Sequence, residues 1–103
     1  MPTSRMFPPM GFVYILECAD GTFYTGSTKN LELRVAQHQS GEGAIYTRDR
    51  LPVRLVWSEE FARIDEAFGW EKRIQGWSRA KKMLLIEGRG NELAGWSSRT
   101  RRR

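Results

Sequence analysis

Phe12-Val13-Tyr14-Ile15-Leu16 and Thr22-Phe23-Tyr24-Thr25, with Ala19-Asp20-Gly21 between them, are the stretch on which the fold turns. Both runs are rich in aromatic and β-branched residues, which suit a pleated, half-buried surface, and the segment between them has turn chemistry. The reading is a β-hairpin. Loop length decides which side chains share a face, because they alternate with a period of two. A three-residue loop with Gly21 in the left-handed conformation pairs position 18 with 22, sets 14 opposite 26 and 16 opposite 24, and puts Tyr14 and Tyr24 on one face. A two-residue Asp20-Gly21 loop separates them. The residues by themselves leave both registers open.

Downstream, Thr28 or Asn30 caps a helix from Leu31 to about Ser40, in which Leu31 and Val35 lie one turn apart; Gly41 ends it. The segment from Gly41 to Pro52 reads as a loop holding Tyr46, Thr47, Arg48 and Arg50, and Val53–Trp57 as a third strand. Ile64, Ala67, Trp70, Ile74 and Trp77 recur at helical spacing, with Asp65 as N-cap. Gly69 weakens that helix by about 1 kcal/mol relative to Ala. Ser78 caps a last helix through Lys81, Lys82, Leu84 and Ile86 to Gly88. The class is α+β, a mixed arrangement of strands and helices in the order ββαβαα. Upstream, Pro2, Pro8 and Pro9 make residues 1–10 an extended lead-in. Residues 11–88 form the folded domain, and residues 89–103 a basic, flexible tail.

The chain has 103 residues, enough for one domain with its own core. Cys18 is the only cysteine, which excludes an intramolecular disulfide, a cysteine-based zinc site and a Cys-X-X-Cys redox pair. Neither a signal-peptide run nor eighteen consecutive apolar residues occurs, so the expectation is a cytoplasmic protein with no membrane partner. The net charge of +5 is unevenly spread. Residues 1–71 carry 7 Lys/Arg against 10 Asp/Glu, and residues 72–103 carry 10 against 2. A basic C-terminal third favours a polyanionic partner, nucleic acid first, with anionic lipid and plain solubility as competing readings.

Three polar residues fall where apolar ones belong. At about 100° per residue, Arg34 and His38 lie on or beside the Leu31/Val35 stripe, one turn apart. Taken singly, the Arg snorkels to water and the His is a satisfied structural group. Glu71 projects between Ile64, Ala67 and Ile74. A carboxylate there needs an Arg, a buried water or a metal, and periodicity alone favours the Arg. Two tyrosines, an Arg-His pair and one misplaced acid together suit phosphodiester cleavage, which needs an activated nucleophile and a cation to neutralise developing charge. One carboxylate can hold Mg²⁺ or Mn²⁺ if water and substrate complete the shell, whereas two-metal chemistry has too few acids.

Val13-Tyr14, then Tyr24-Thr25-Gly26, then Arg34, His38 and Glu71, resemble the GIY-YIG nuclease superfamily over roughly residues 11 to 86. Val13-Tyr14-Ile15-Leu16-Glu17, Tyr24-Thr25-Gly26-Ser27-Thr28 and Gly43-Ala44-Ile45-Tyr46-Thr47-Arg48 look closest to small stand-alone members and to the nuclease domain of branch-cutting endonucleases. Phe12-Val13-Tyr14 stands where the motif has Gly-Ile-Tyr, and Tyr24-Thr25-Gly26 where it has Tyr-Ile-Gly. The resemblance implies a three-stranded antiparallel sheet flanked by helices and favours the three-residue hairpin loop. It also implies a catalytic set. Tyr14 deprotonates or helps deprotonate the attacking water, Tyr24 orients water or phosphate, Arg34 neutralises the pentacovalent phosphate, and Glu71 ligates one Mg²⁺ or Mn²⁺. For His38 the roles of base, proton relay and positioning group stay open.

The function this implies is a metal-dependent DNA endonuclease of repair or processing, selecting structure (branches, flaps, single-stranded regions) over sequence, with RNA as an open substrate. Lys29, Arg48, Arg50, Lys72, Arg79, Lys81 and Lys82 are the expected phosphate-binding residues. Two other readings compete: a nucleic-acid-binding module with weak or no catalysis, and a subunit whose protein partner chooses the substrate through Trp70, Trp77 or Trp96.

Overall fold

A computed structural model of the chain describes residues 11–93. Strands β1 (Gly11–Glu17) and β2 (Phe23–Thr28) form the expected hairpin. Its register sets Tyr14 opposite Gly26 and Leu16 opposite Tyr24. The Cys18 N–H donates to the Thr22 carbonyl at 2.9 Å, and Gly21 has φ +85°. That is the three-residue loop, and it requires the left-handed backbone that glycine adopts without strain. Tyr14 and Tyr24 therefore share a face.

Helix α1 (Leu31–Gln39) is capped by Asn30 and not by Thr28: Asn30 Oδ1 accepts from the Leu33 N–H at 3.1 Å. The stretch expected as loop contains a one-turn helix, α2 (Ile45–Arg48). Four residues are too few to display a helical period, which is why the pattern did not reveal it. Strand β3 (Arg54–Phe61) starts one residue later and runs four residues further than expected. Ser58, Glu59 and Glu60 continue the pairing against Tyr14, Val13 and Phe12. Charged residues of this kind suit an edge strand. The sheet order is β2-β1-β3, all antiparallel, with β1 in the centre.

The β1–β3 register slips between Ile15 and Leu16, leaving Val56 as an extra residue. The bulge has a packing consequence: adjacent Val56 and Trp57, which a period of two sends to opposite faces, both join one cluster. That cluster holds Val13, Ile15, Phe61, Ala67, Trp70, Ile74 and Leu85 beneath helices α3 (Ile64–Gln75) and α4 (Arg79–Ile86). On the other face Tyr14, Leu16, Cys18 and Val53 pack with Tyr24, Leu31 and Val35.

Helix α3 begins at Ile64 with Arg63 in the cap position, so Asp65 is a first-turn residue and not the cap. Its carboxylate pairs with the Arg63 guanidinium at 2.9 Å, and Ile64 must lie inside the helix to pack on the core. Ser78 caps α4 as expected, accepting from the Lys81 N–H at 3.3 Å. Packing continues past position 88 into a 3-10 turn, Gly90–Glu92, and Leu93, which joins the α3/α4 cluster. The expected lead-in, the end of the expected tail and Trp96 lie outside the described residues.

Gly69 lies within α3, and a Cβ there would meet no atom within 4 Å. Gly69→Ala is expected to stabilise the fold by about 1 kcal/mol, measured as a rise in the urea midpoint at constant m-value. An unchanged or lower midpoint would contradict this reading of α3.

Candidate active site

The register determines what Tyr14 can reach. Its partner across the hairpin is Gly26, and a Cβ on Gly26 would come within 2.6 Å of Tyr14 Cζ. The Tyr14 ring occupies the space a larger residue would fill, which carries its hydroxyl towards the β2 edge. There Tyr14 Oη lies 2.8 Å from His38 Nε2, both residues being essentially inaccessible at 1% and 0% exposure. His38 comes from the last turn of α1, and its other nitrogen, Nδ1, lies 2.8 Å from Thr47 Oγ1 on α2. Gly26→Ala should cost about 1–3 kcal/mol through overpacking, read by denaturant unfolding. Stability equal to wild type would show that the ring does not depend on the missing side chain.

Tyr24 packs against this pair, with its ring centroid 5.3 Å from that of His38 and 5.9 Å from that of Tyr46, the latter nearly parallel. Arg34, one turn before His38, donates to Gln37 Oε1 at 3.1 Å and pairs with no carboxylate among the described residues. Its charge acts on all three rings. Burial nevertheless dominates. It pushes the Tyr14 phenol up to about 12 and draws the His38 imidazole down to about 4, with the Arg34 charge adding to the latter. Tyr24 is likewise raised by burial. At neutral pH the site therefore holds two neutral phenols and a neutral imidazole beside a guanidinium.

Glu71 approaches from α3 on the other side of β2. Its carboxylate accepts from Ser27 Oγ, the residue after Gly26, and from Gln75 Nε2 at 2.6 Å; Gln75 Nε2 also donates to the Thr25 carbonyl at 3.3 Å. Among the described residues the Arg pair that periodicity favoured is not formed. A half-buried position beside an edge strand lets a serine and a glutamine hydrogen-bond the acid. The Glu71 charge is felt at both Tyr14 and Tyr24, so the acid belongs to the same electrostatic neighbourhood. No group of three or more His, Cys, Asp or Glu residues among the described ones could enclose an ion. A half-buried carboxylate beside the Ser27 hydroxyl oxygen still fits a hard cation that keeps most of its water.

Residues 10–83 match the GIY-YIG catalytic domain. The chain belongs to the GIY-YIG family. It is similar to a UPF0213 protein of Natronomonas pharaonis, 53% identical over 75 residues that cover 73% of this chain and 88% of that protein. Another, from Halobacterium salinarum, is 50% identical across 75% of this chain and 100% of its own length. The solution NMR structure of a UPF0213 protein from Bacillus halodurans superposes with a TM-score of 0.51 at 46% identity, covering 78% of this chain and 85% of that one. The family is one of nucleases, which makes nucleic acid the substrate class and divalent metal the usual cofactor of its members.

Of the expected site residues, Tyr14, Tyr24, Arg34 and His38 converge on the α1 face of the sheet, and Glu71 lies across β2 from them. The candidate phosphate ligands divide. Lys29, Arg48 and Lys72 are exposed, each close in sequence to a site residue, and take part in no ion pair among the described residues. Arg50 is committed to Asp20 at 3.1 Å, the Tyr46 carbonyl at 3.0 Å and the Tyr46 ring. Arg79 ties α4 to the hairpin through the Gly21 carbonyl at 2.6 Å and lies over the Phe23 ring. On α4, Lys81 lies over Trp77, and burial lowers the Lys82 ammonium. Among the described residues no helix is long and apolar enough to cross a membrane.

Sequence reasoning passed over Thr47, Tyr46, Ser27, Gln75 and Gly43, which contact the candidate site residues. Gly43 would, with a side chain, drive Cβ to 2.8 Å from His38 Cγ. The one signal for Thr47 was its place in a segment already quoted for likeness.

His38 also sets a pH dependence. Its folded-state pKa lies near 4 against an ordinary 6.5, so above 6.5 folded and unfolded chains both hold it neutral. As pH falls from 6.5 towards 4, only the unfolded chain takes up the proton, and stability falls across that window. His38→Gln should be less stable at neutral pH yet flatter between 6.5 and 4 in urea titrations. Parallel curves for the two proteins would refute the assignment. Asp20, Asp65 and Glu92, whose carboxyls are also lowered, titrate in both proteins and cancel in the difference.

Proposed function

We propose that this chain is a metal-dependent endonuclease that hydrolyses DNA phosphodiester bonds, choosing its target by DNA structure rather than sequence. The observation that carries the reading is the buried 2.8 Å contact between Tyr14 Oη and a neutral His38. A phenol pushed up to about 12 is a poor resting base at neutral pH. Beside an imidazole with an open lone pair it can act without first ionising. As water attacks phosphorus, its proton passes to Tyr14 Oη while the Tyr14 proton passes to His38 Nε2. The new P–O bond forms as the bond to the leaving oxygen breaks, and that alkoxide takes a proton from solvent. Arg34 faces the charge that builds on the phosphoryl oxygens, and Tyr24 positions the incoming water or phosphate.

Glu71, with Ser27 and Gln75 orienting it, would hold one Mg²⁺ or Mn²⁺, which when bound supplies Lewis-acid neutralisation at the leaving oxygen. Lys29, Arg48 and Lys72 hold neighbouring phosphates through salt-sensitive contacts. The setting that fits is DNA repair or processing in the cytoplasm.

The test is incubation of the full chain with flapped, branched, single-stranded and supercoiled DNA, and with RNA, in Mg²⁺ or Mn²⁺, with EDTA controls. Metal-dependent cutting of branched or flapped DNA is the expected result. Salt-sensitive binding without cutting in either metal would favour the binding-module reading.

A further inference from the structure

Thr47 is fully buried at 0% exposure, and its hydroxyl makes two contacts. It lies 3.0 Å from the Ala44 carbonyl and 2.8 Å from His38 Nδ1. A carbonyl only accepts, so the bond that Thr47 makes to Ala44, beside the Arg48 N–H that donates to the same oxygen, uses its single hydroxyl proton. Towards His38 the same oxygen can then only accept, and Nδ1 must carry the imidazole proton. Neutral imidazole has one N–H, so Nε2 is left as a bare lone pair, and it faces Tyr14 Oη. The direction of the buried contact follows: Tyr14 donates and His38 accepts.

We propose that Thr47 is a positioning residue that selects the Nδ1–H tautomer of His38 and so aims the Tyr14 proton at Nε2. The catalytic consequence rests on the endonuclease reading; the tautomer does not. With the proton on Nε2 instead, Tyr14 would have to accept from His38. Its own proton would then have no acceptor at the moment it takes one from water. Thr47 touches neither water nor phosphate in this scheme; it acts through His38.

The surrounding segment serves the same end. The missing side chain of Gly43 leaves room for the imidazole, Ala44 engages the Thr47 proton, and α2 presents Thr47 to Nδ1, all within five residues. This gives the one-turn helix a task that its length and exposed Ile45 do not otherwise explain.

His38 is the only histidine in the chain, so its ring nitrogens can be observed without ambiguity in ¹⁵N-labelled full-length protein. Long-range ¹H–¹⁵N spectra at neutral pH should show a protonated Nδ1 and an unprotonated Nε2 in wild type and in Thr47→Ser. Thr47→Val keeps the shape but removes the acceptor, and should shift the population towards Nε2–H. Its single-turnover cleavage should fall about a hundredfold with DNA affinity unchanged, and Thr47→Ser should restore most of that loss. A wild-type His38 protonated on Nε2 would overturn the proposal whether or not any variant folds. So would Thr47→Val keeping both tautomer and rate. The Nδ1–H tautomer in a protein that cuts no DNA would support the assignment while overturning the endonuclease reading.

Discussion

Tyr14→Phe is expected to lower single-turnover DNA cleavage by about a thousandfold, within the range of a lost general base. Phenylalanine keeps the ring over Gly26 but removes the hydroxyl that contacts His38 Nε2. The loss should therefore fall on kcat, with DNA affinity close to wild type. Some stability is lost as well, since Nε2 is left buried without a partner, at a cost of about 1–3 kcal/mol. Circular dichroism and the urea midpoint separate that effect from the catalytic one. A Tyr14→Phe protein that is folded and cuts within a few-fold of wild type would remove the relay from the account.

Glu71→Ala should produce a loss of similar size, about a thousandfold, since metal neutralisation is worth several kcal/mol in the transition state. Here the expected signature differs. Ser27 and Gln75 lose their common acceptor near the surface, so stability changes little. Removing a negative charge beside the phosphate path leaves DNA binding equal or tighter. The residual rate should no longer respond to added Mg²⁺ or Mn²⁺. A variant that keeps its metal response would place the cation on other residues.

The hairpin and the apolar stripe of α3 were legible because each is a periodic pattern of several residues. Hairpin register was not, since loop length turns on a single backbone conformation at Gly21; the resemblance chose correctly. Helix α2 escaped because one turn shows no period, and with it went the role of Thr47. The end of β3 was missed because Ser58-Glu59-Glu60 looks like loop until an exposed edge is in view. Glu71 was correctly singled out as an anomaly, but periodicity could not identify its partners. Ser27 lies 44 residues away in sequence, and only the packing of α3 against β2 brings them together.

The central claim is that Tyr14 and Glu71 belong to one metal-dependent site that breaks phosphodiester bonds. It is tested most directly by single-turnover cleavage of one flapped DNA in Mg²⁺ and in Mn²⁺. Wild type, Tyr14→Phe and Glu71→Ala are purified identically and compared side by side. The account predicts cutting by wild type that EDTA abolishes, and cutting about a thousandfold slower by either variant. Equal cutting by all three proteins, or none by wild type in either metal, would contradict it.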